Sequence, residues 1–275
     1  MRNNNKMKAM VVGAVLSSVC SATWADQLSE IKAKGTLVCG VLGAYEPFGF
    51  TDVASRTLVG YDVDICSAIA AKLGVKAEPK AVSIEARIPE LQQGHMDVLV
   101  AGLGFTPLRA EQVAFSNSYF VSAHKLTVKD SGGFSSPADL SGKRISFSKG
   151  GITESFVKSA VPDAKLTGFE DTPTAFTALI QNKVSAFSVS EVVARRLISK
   201  LGADGAQFKL LEPAVGQETW GVGIKKDEPA LLAAVNSALD SMESDGEAQS
   251  IFNKWLGAGT SYHMERTFKF APIPK

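Results

Sequence analysis

From Leu37 onward, short apolar runs that read as strands alternate with amphipathic stripes that read as helices. Few architectures other than α/β accommodate that pattern. Leu37–Val41 is a buried-strand run. Over Asp62–Leu73, Ile65, Cys66, Ile69 and Leu73 fall on one helical face, and Gly74 supplies a stop. A strand over Val75–Glu78, a helix over Glu85–Gln93 and a strand over Asp97–Ala101 complete a first run. After Ser118 the composition turns extended, SYFVSAHKLTV, without helical period. A second run then begins, with strands over Lys143–Ser148, Lys165–Gly168 and Val184–Val189. Its helices cover Thr153–Ala160, Thr172–Gln181 and Glu191–Leu201. Trp220–Lys225 is again extended and leads into helices over Pro229–Ser244 and Gly246–Leu256. The Pro-rich tail YHMERTFKFAPIPK reads as an extended strap.

The first 25 residues have the layout of a secretory leader. Arg2, Lys6 and Lys8 precede an apolar run from Ala9 to Leu16, and a cleavage site falls at Thr23-Trp24-Ala25. That run is shorter than the roughly 20 residues a membrane span needs. A lipid anchor at Cys20 is disfavoured by Val19 and Ser17. Removing three basic and no acidic residues takes the formal charge from +1 to −2. Such a balance gives no electrostatic reason to expect nucleic acid or anionic lipid as a partner. Two cysteines remain, Cys39 and Cys66. Export permits a disulfide, but one cysteine lies in a predicted strand and the other in a predicted helix. The blander reading is two small buried residues.

The stretch from Glu90 to Ser116 says most about chemistry. A helix ends at Gly94, the apolar strand Val98–Ala101 follows, a Gly102-Leu103-Gly104 turn comes next, and Arg109 stands just beyond. In open α/β sheets ligands bind outside the carboxyl ends of strands. A guanidinium there can make two parallel hydrogen bonds to one carboxylate, which points to a small anionic or zwitterionic ligand.

LQQGHMDVLVAGLGFTPLRAEQVAFSNSYF (91–120) resembles the signature of the bacterial periplasmic amino-acid-binding proteins, the solute receptors of polar amino acid ABC transporters (family 3 extracellular solute-binding proteins). The resemblance extends to GTLVCGVLGAYEPFGFTD (35–52), LVGYDVDICSAIAAKLGV (58–75) and LSGKRISFSKGGITESF (140–156). It takes in GVGIKKDEPALLAAVNSALDSMESDGEAQSIFNKWLG (221–257) as well. It implies the type II periplasmic binding protein fold, two α/β lobes joined by two hinge strands. Residues 26–122 and 220–275 then form one lobe, and 123–219 the other. It further implies a monomeric periplasmic receptor that binds an amino acid between the lobes, without cofactor or metal, and delivers it to the permease subunits of an ABC importer.

Residue by residue, the resemblance implies that Arg109 clamps the ligand α-carboxylate. Gly102 offers a carbonyl to the ligand ammonium, and Gly104 an N–H where relatives commonly have Ser or Thr. Ile152 and Thr153 follow a Gly-Gly pair at a predicted helix start, where backbone N–H groups attract anions; Thr153 as a mere helix cap is the alternative. Tyr45 matches an aromatic that lies against the ligand's aliphatic part, while Phe48 and Phe50 read as core. Arg87 resembles an arginine that receives a side-chain carboxylate in the glutamate/aspartate-binding branch, with a helix-surface role as the alternative.

The chain departs from the family at VSAFSVSEVVARR (184–196), where Ser185 and Ser190 stand at two aspartate positions. The second of those aspartates pairs with the ligand ammonium in relatives, and a buried ammonium without a carboxylate is costly. Three readings stay open. Glu191 turns in as a substitute, neutral oxygens such as that of Ser190 hold the ammonium, or the ligand is an organic acid lacking one. His95, His124 and His263 form no metal-spaced cluster, and no nucleophile motif is present. The enzymatic competitor is a cyclohexadienyl (arogenate) dehydratase-like activity on the same fold. It needs a general acid in the cleft, for which Glu191 is the candidate.

Overall fold

The computed structural model describes residues 26–274; the predicted leader, with the alternative lipid site at Cys20, lies outside them. One sheet runs through the molecule in the order Lys76–Val82, Thr36–Leu42, Val98–Leu99, Gly216–Ile224, Ala114–Lys129, Ala186–Ser190, Arg144–Ser148, Lys165–Phe169. Its middle is the antiparallel pair Ala114–Lys129 and Gly216–Ile224. The outer strands on each side pair in parallel within their own group. The first α/β run therefore sits on one flank of the central pair and the second run on the other. Each parallel group needs helical crossovers, which the helices Tyr61–Leu73 and Thr172–Ile180 supply.

The local chemistry follows the residues. Helix Tyr61–Leu73 buries Ile65, Cys66 and Ile69 and stops where Gly74 takes a left-handed φ of 76°. Helix Thr172–Ile180 begins where the Asp171 side chain accepts from Thr174 N at 2.7 Å, with a proline in its first turn. Asp97 of the 91–120 motif serves the scaffold: it accepts from Val38 N at 2.8 Å and from Lys34 Nζ at 2.9 Å. It thereby ties the first strand to a helix over Gln27–Lys34 that the apolar pattern does not predict.

Several elements reach further than the sequence implies. The expected strand Val75–Glu78 runs over Lys76–Val82, and the extended segment after Ser118 is part of a strand beginning at Ala114. A small sheet of Ala44–Tyr45, Gly49–Thr51 and Leu58–Val59 was not expected at all. The tail is a strap, as read: Ser118 N donates to Ala271 O at 2.7 Å, and Phe268 packs edge-on against Phe120. Phe48 is wholly buried, whereas Phe50 is only partly covered and meets the edge of Trp255.

The reading of Cys39 and Cys66 as two free buried residues is corrected: they form a disulfide. The strand and helix that carry them pack face to face, and this packing brings the two residues to a Cα separation of 6.3 Å. The bond closes a segment with a separation of 27 residues. Loop-closure entropy gives it a stabilising effect of roughly 3–4 kcal/mol. Replacing both cysteines by serine should lower the unfolding free energy by about that amount in urea titrations.

Asp62, at the start of helix Tyr61–Leu73, is fully buried. Burial, opposed by the Tyr119 hydroxyl, the Gly102 N–H and Arg87, pushes its pKa up from 3.8 to about 8. Between those values the folded chain holds a proton that the unfolded chain has released, so this group lowers stability as pH rises through the window. Asp62→Asn removes the titration. Urea unfolding at pH 4 and pH 8 should show the variant gaining on the parent protein at the higher pH.

Candidate functional site

The strands of the first run end near the strands of the second run on one side of the central pair. There a cleft is lined by Tyr45, Arg87, Gly102 and Arg109 from the first run. Gly151, Ile152, Thr153 and Ser188 line it from the second, and His124 and Glu218 stand on the central pair. Most of the residues named by the sequence reading thus meet in one place.

Arg109 comes from the short helix Pro107–Ala110, whose start is capped by the Thr106 hydroxyl accepting from Arg109 N at 3.1 Å. The cap turns the guanidinium back toward the glycine turn. Nη1 donates to Gly104 O at 2.8 Å, and Nη2 reaches across the cleft to Gly150 O at 2.9 Å. Desolvation pulls its pKa below the usual arginine value, opposed by Glu218. The guanidinium stays protonated at neutral pH all the same.

Arg87 is 3% exposed. Its Nε donates to Ile84 O at 2.9 Å, and Nη1 to Ala101 O at 2.8 Å and Gly102 O at 2.9 Å. Nη2 donates to Gly150 O at 3.2 Å. Four of its five N–H groups are therefore committed to backbone carbonyls. Burial, with Arg109 nearby, pushes its pKa down to about 10. The helix-surface alternative does not hold, because this side chain organises the Gly102 turn from within.

The opposite wall depends on close backbone approach. Gly150 has a φ of 73°, and a Cβ there would lie 2.6 Å from Glu85 Cα. Only glycine lets the 149–152 loop come this near the Ile84–Glu85 segment. Helix Thr153–Ala160 then starts beside the cleft, with Ile152 at its N-cap and no side-chain capping bond. Thr153 is not merely a cap: its Oγ1 shares a 3.0 Å hydrogen bond with His124 Nδ1. The first N–H groups of this eight-residue helix carry partial positive charge and lack intrahelical partners.

Tyr45 lies in the cleft wall against Phe48 and Trp220. Burial, and then Glu218, raise its pKa, so the phenol is neutral. Two expected residues are not among those that line the cleft. Ser190 Oγ accepts from Ser122 Oγ at 2.7 Å in a fully buried position. Glu191 faces away from the cleft, bonded to Arg195 Nε at 2.9 Å and paired with Lys125 Nζ at 3.0 Å. Those cations hold its carboxyl below the ordinary range despite partial burial.

Two residues escaped the sequence reading. His124 and Glu218 share a buried 2.6 Å contact between Nε2 and Oε1. Burial works against the Glu218 carboxylate, yet His124 and Arg109 hold its pKa below the ordinary value. A signal was present for His124, an ionisable residue inside the apolar extended segment after Ser118, where an unpaired charge is costly; Glu218 lies before the Trp220–Lys225 run and carried none. Among the described residues no group of three or more His, Cys, Asp or Glu could hold a metal. The space between these walls measures about 30 Å³, room for roughly one water.

Comparison with known proteins agrees with this geometry. Residues 37–258 match the bacterial extracellular solute-binding proteins, family 3. The ABC transporter glutamine-binding protein GlnH of Bacillus subtilis is 30% identical over 235 residues, covering 84% of this chain and 85% of that protein. An ancestral arginine-binding protein bound to arginine superimposes with a TM-score of 0.76 at 35% identity, over 81% of this chain and 99% of that one. The ancestral amino acid-binding protein AncCDT-1, described as a precursor of cyclohexadienyl dehydratase, gives a TM-score of 0.76 at 31% identity over 84% and 99%. The fold is the type II periplasmic binding architecture of two α/β lobes joined by two strands. This chain belongs to the family 3 bacterial extracellular solute-binding proteins.

Proposed function

We propose that this protein is the extracytoplasmic receptor of an amino acid ABC importer, exported by its leader to the periplasm and working there as a monomer. It binds an amino acid between a lobe of residues 26–122 with 220–275 and a lobe of residues 123–219, then presents it to the permease subunits. Arg109, opposite the Thr153 helix start, carries this reading. The guanidinium and the Ile152 and Thr153 amides face one small space from the two sides, and a carboxylate is the group that satisfies both. When it binds, the carboxylate takes over the position in which Gly150 O accepts from Arg109. Tyr45 lies against the aliphatic part of the ligand, and Gly102 and Gly104 contribute backbone groups.

Contact with both lobes is what makes closure depend on ligand, because only a ligand that binds the closed state better shifts the population toward it. Glu46 adds a direct link, accepting from Arg196 Nε at 2.6 Å and pairing with Lys200. Arg87 is not a second carboxylate clamp in this reading: four of its five N–H groups serve backbone carbonyls, which argues against a dicarboxylate. The relatives named for glutamine and arginine support a ligand with a polar or cationic side chain.

A receptor for an organic acid without an ammonium is the second reading, favoured by the neutral Ser190. Binding without turnover fits better than dehydratase chemistry, since Glu191 points at Lys125 and Arg195 and the AncCDT-1 neighbour is itself described as a binding protein. Incubation with prephenate or arogenate should leave both unchanged. Calorimetry on protein unfolded and refolded without ligand tests the receptor reading directly. Arg109→Lys, which keeps the charge and loses the planar fork, should weaken amino acid binding at least about a hundredfold, the effect of breaking a buried pair at roughly 3–5 kcal/mol. Unchanged affinity in that variant would remove the clamp.

A further inference from the structure

Glu218 is a carboxylate in the cleft wall for which the Arg109 clamp has no need. It pairs across strands with Ser122, and Ser190 pairs with His124. Cross-strand partners and alternate residues share a face, so all four side chains stand on one face of three adjacent strands. On that face Ser190 accepts from Ser122 and brings no charge. Glu218 is 6% exposed and borders the cleft. Its Oε1 is held by His124, which Thr153 fixes in turn. Its Oε2 lies only 2.1 Å from where a Cβ on Gly104 would stand. Any side chain at 104 would displace that carboxylate, since 2.1 Å is well inside van der Waals contact. The two departures from the family pattern, glycine at 104 and serine at 190, therefore have one explanation. The negative charge has moved from one side of the Ala114–Lys129 strand to the other, into the space that glycine leaves.

Resting on the carboxylate-clamp reading above, we propose that Glu218 accepts the α-ammonium of the ligand and makes this receptor selective for carboxylates that carry an adjacent cationic nitrogen. His124 is a positioning residue that fixes Oε1 and leaves Oε2 to the ligand. A carboxylate present only to neutralise Arg87 and Arg109 would act on all carboxylate ligands alike. An ammonium acceptor acts only on those with the amine.

Calorimetry on refolded, ligand-free protein separates the two roles, with the standard amino acids and cystine as probes. The tightest-binding amino acid is then compared with its deaminated acid of the same skeleton. The parent protein should prefer the amino acid by at least about tenfold, as the loss of a charge-assisted hydrogen bond implies. Glu218→Gln should weaken the amino acid by at least about tenfold and leave the deaminated acid within about threefold. Equal loss for both compounds, or no loss for either, overturns the proposal. If Glu218→Gln does not fold by circular dichroism, the parent protein decides alone: equal affinity for the two compounds overturns it, and a preference for the amine supports it. Failure of every carboxylate to bind the parent protein removes the receptor reading and this proposal together. Normal binding by Arg109→Lys beside the expected Glu218→Gln result faults only the clamp.

Discussion

Two desolvated guanidiniums converge on one carbonyl, that of Gly150, and the geometry of the cleft follows from how their charge is satisfied. A buried cation persists only where oxygens surround it. Arg87 meets that requirement with the carbonyls of Ile84, Ala101, Gly102 and Gly150, which holds the turn after the first-run strands in place. Arg109 meets it with two carbonyls, one of them across the cleft. The two arginines look alike in sequence, but the first commits four of its five N–H groups to carbonyls and the second only two. The proposed carboxylate clamp rests on that difference in free hydrogen-bonding capacity.

The antiparallel pair Ala114–Lys129 and Gly216–Ile224 makes this convergence possible. It carries the chain from the first α/β run to the second and back, so the mouths of the two parallel groups face one another. It also places His124 and Glu218 side by side at the junction of the two runs. Trp220, wholly buried two residues beyond Glu218, packs at 4.6 Å from the Phe48 ring and 4.9 Å from the Phe120 ring. An aromatic block of that size contributes a large share of apolar burial. It gives the wall that bears Tyr45 and Glu218 a rigid backing.

Much of the architecture was legible because periodicity reports which face of an element is buried. Helices Thr153–Ala160 and Pro229–Ser244 have the predicted bounds. The segments 44–59 and 27–34 were missed because short strands and a polar eight-residue helix carry little period. The cysteine pairing was misjudged for a related reason. Membership in a strand or a helix says nothing about whether the two elements pack against each other. Glu191 was singled out for its proximity to Ser190 in sequence, but as the first residue of its helix it turns toward Lys125 and Arg195 instead.

By itself the sequence determined the α/β alternation, the strand–turn–arginine arrangement around Arg109 and the glycine pair that opens the Thr153 helix. Each of these is a local property of residue type and spacing. Tertiary structure alone decided the disulfide, the burial of Arg87 among backbone carbonyls and the meeting of Gly104 with Glu218. Those depend on contacts between residues far apart in the chain, and the register of the central strands sets the last of them. A carboxylate missing from one strand can be restored from another only after the sheet has assembled.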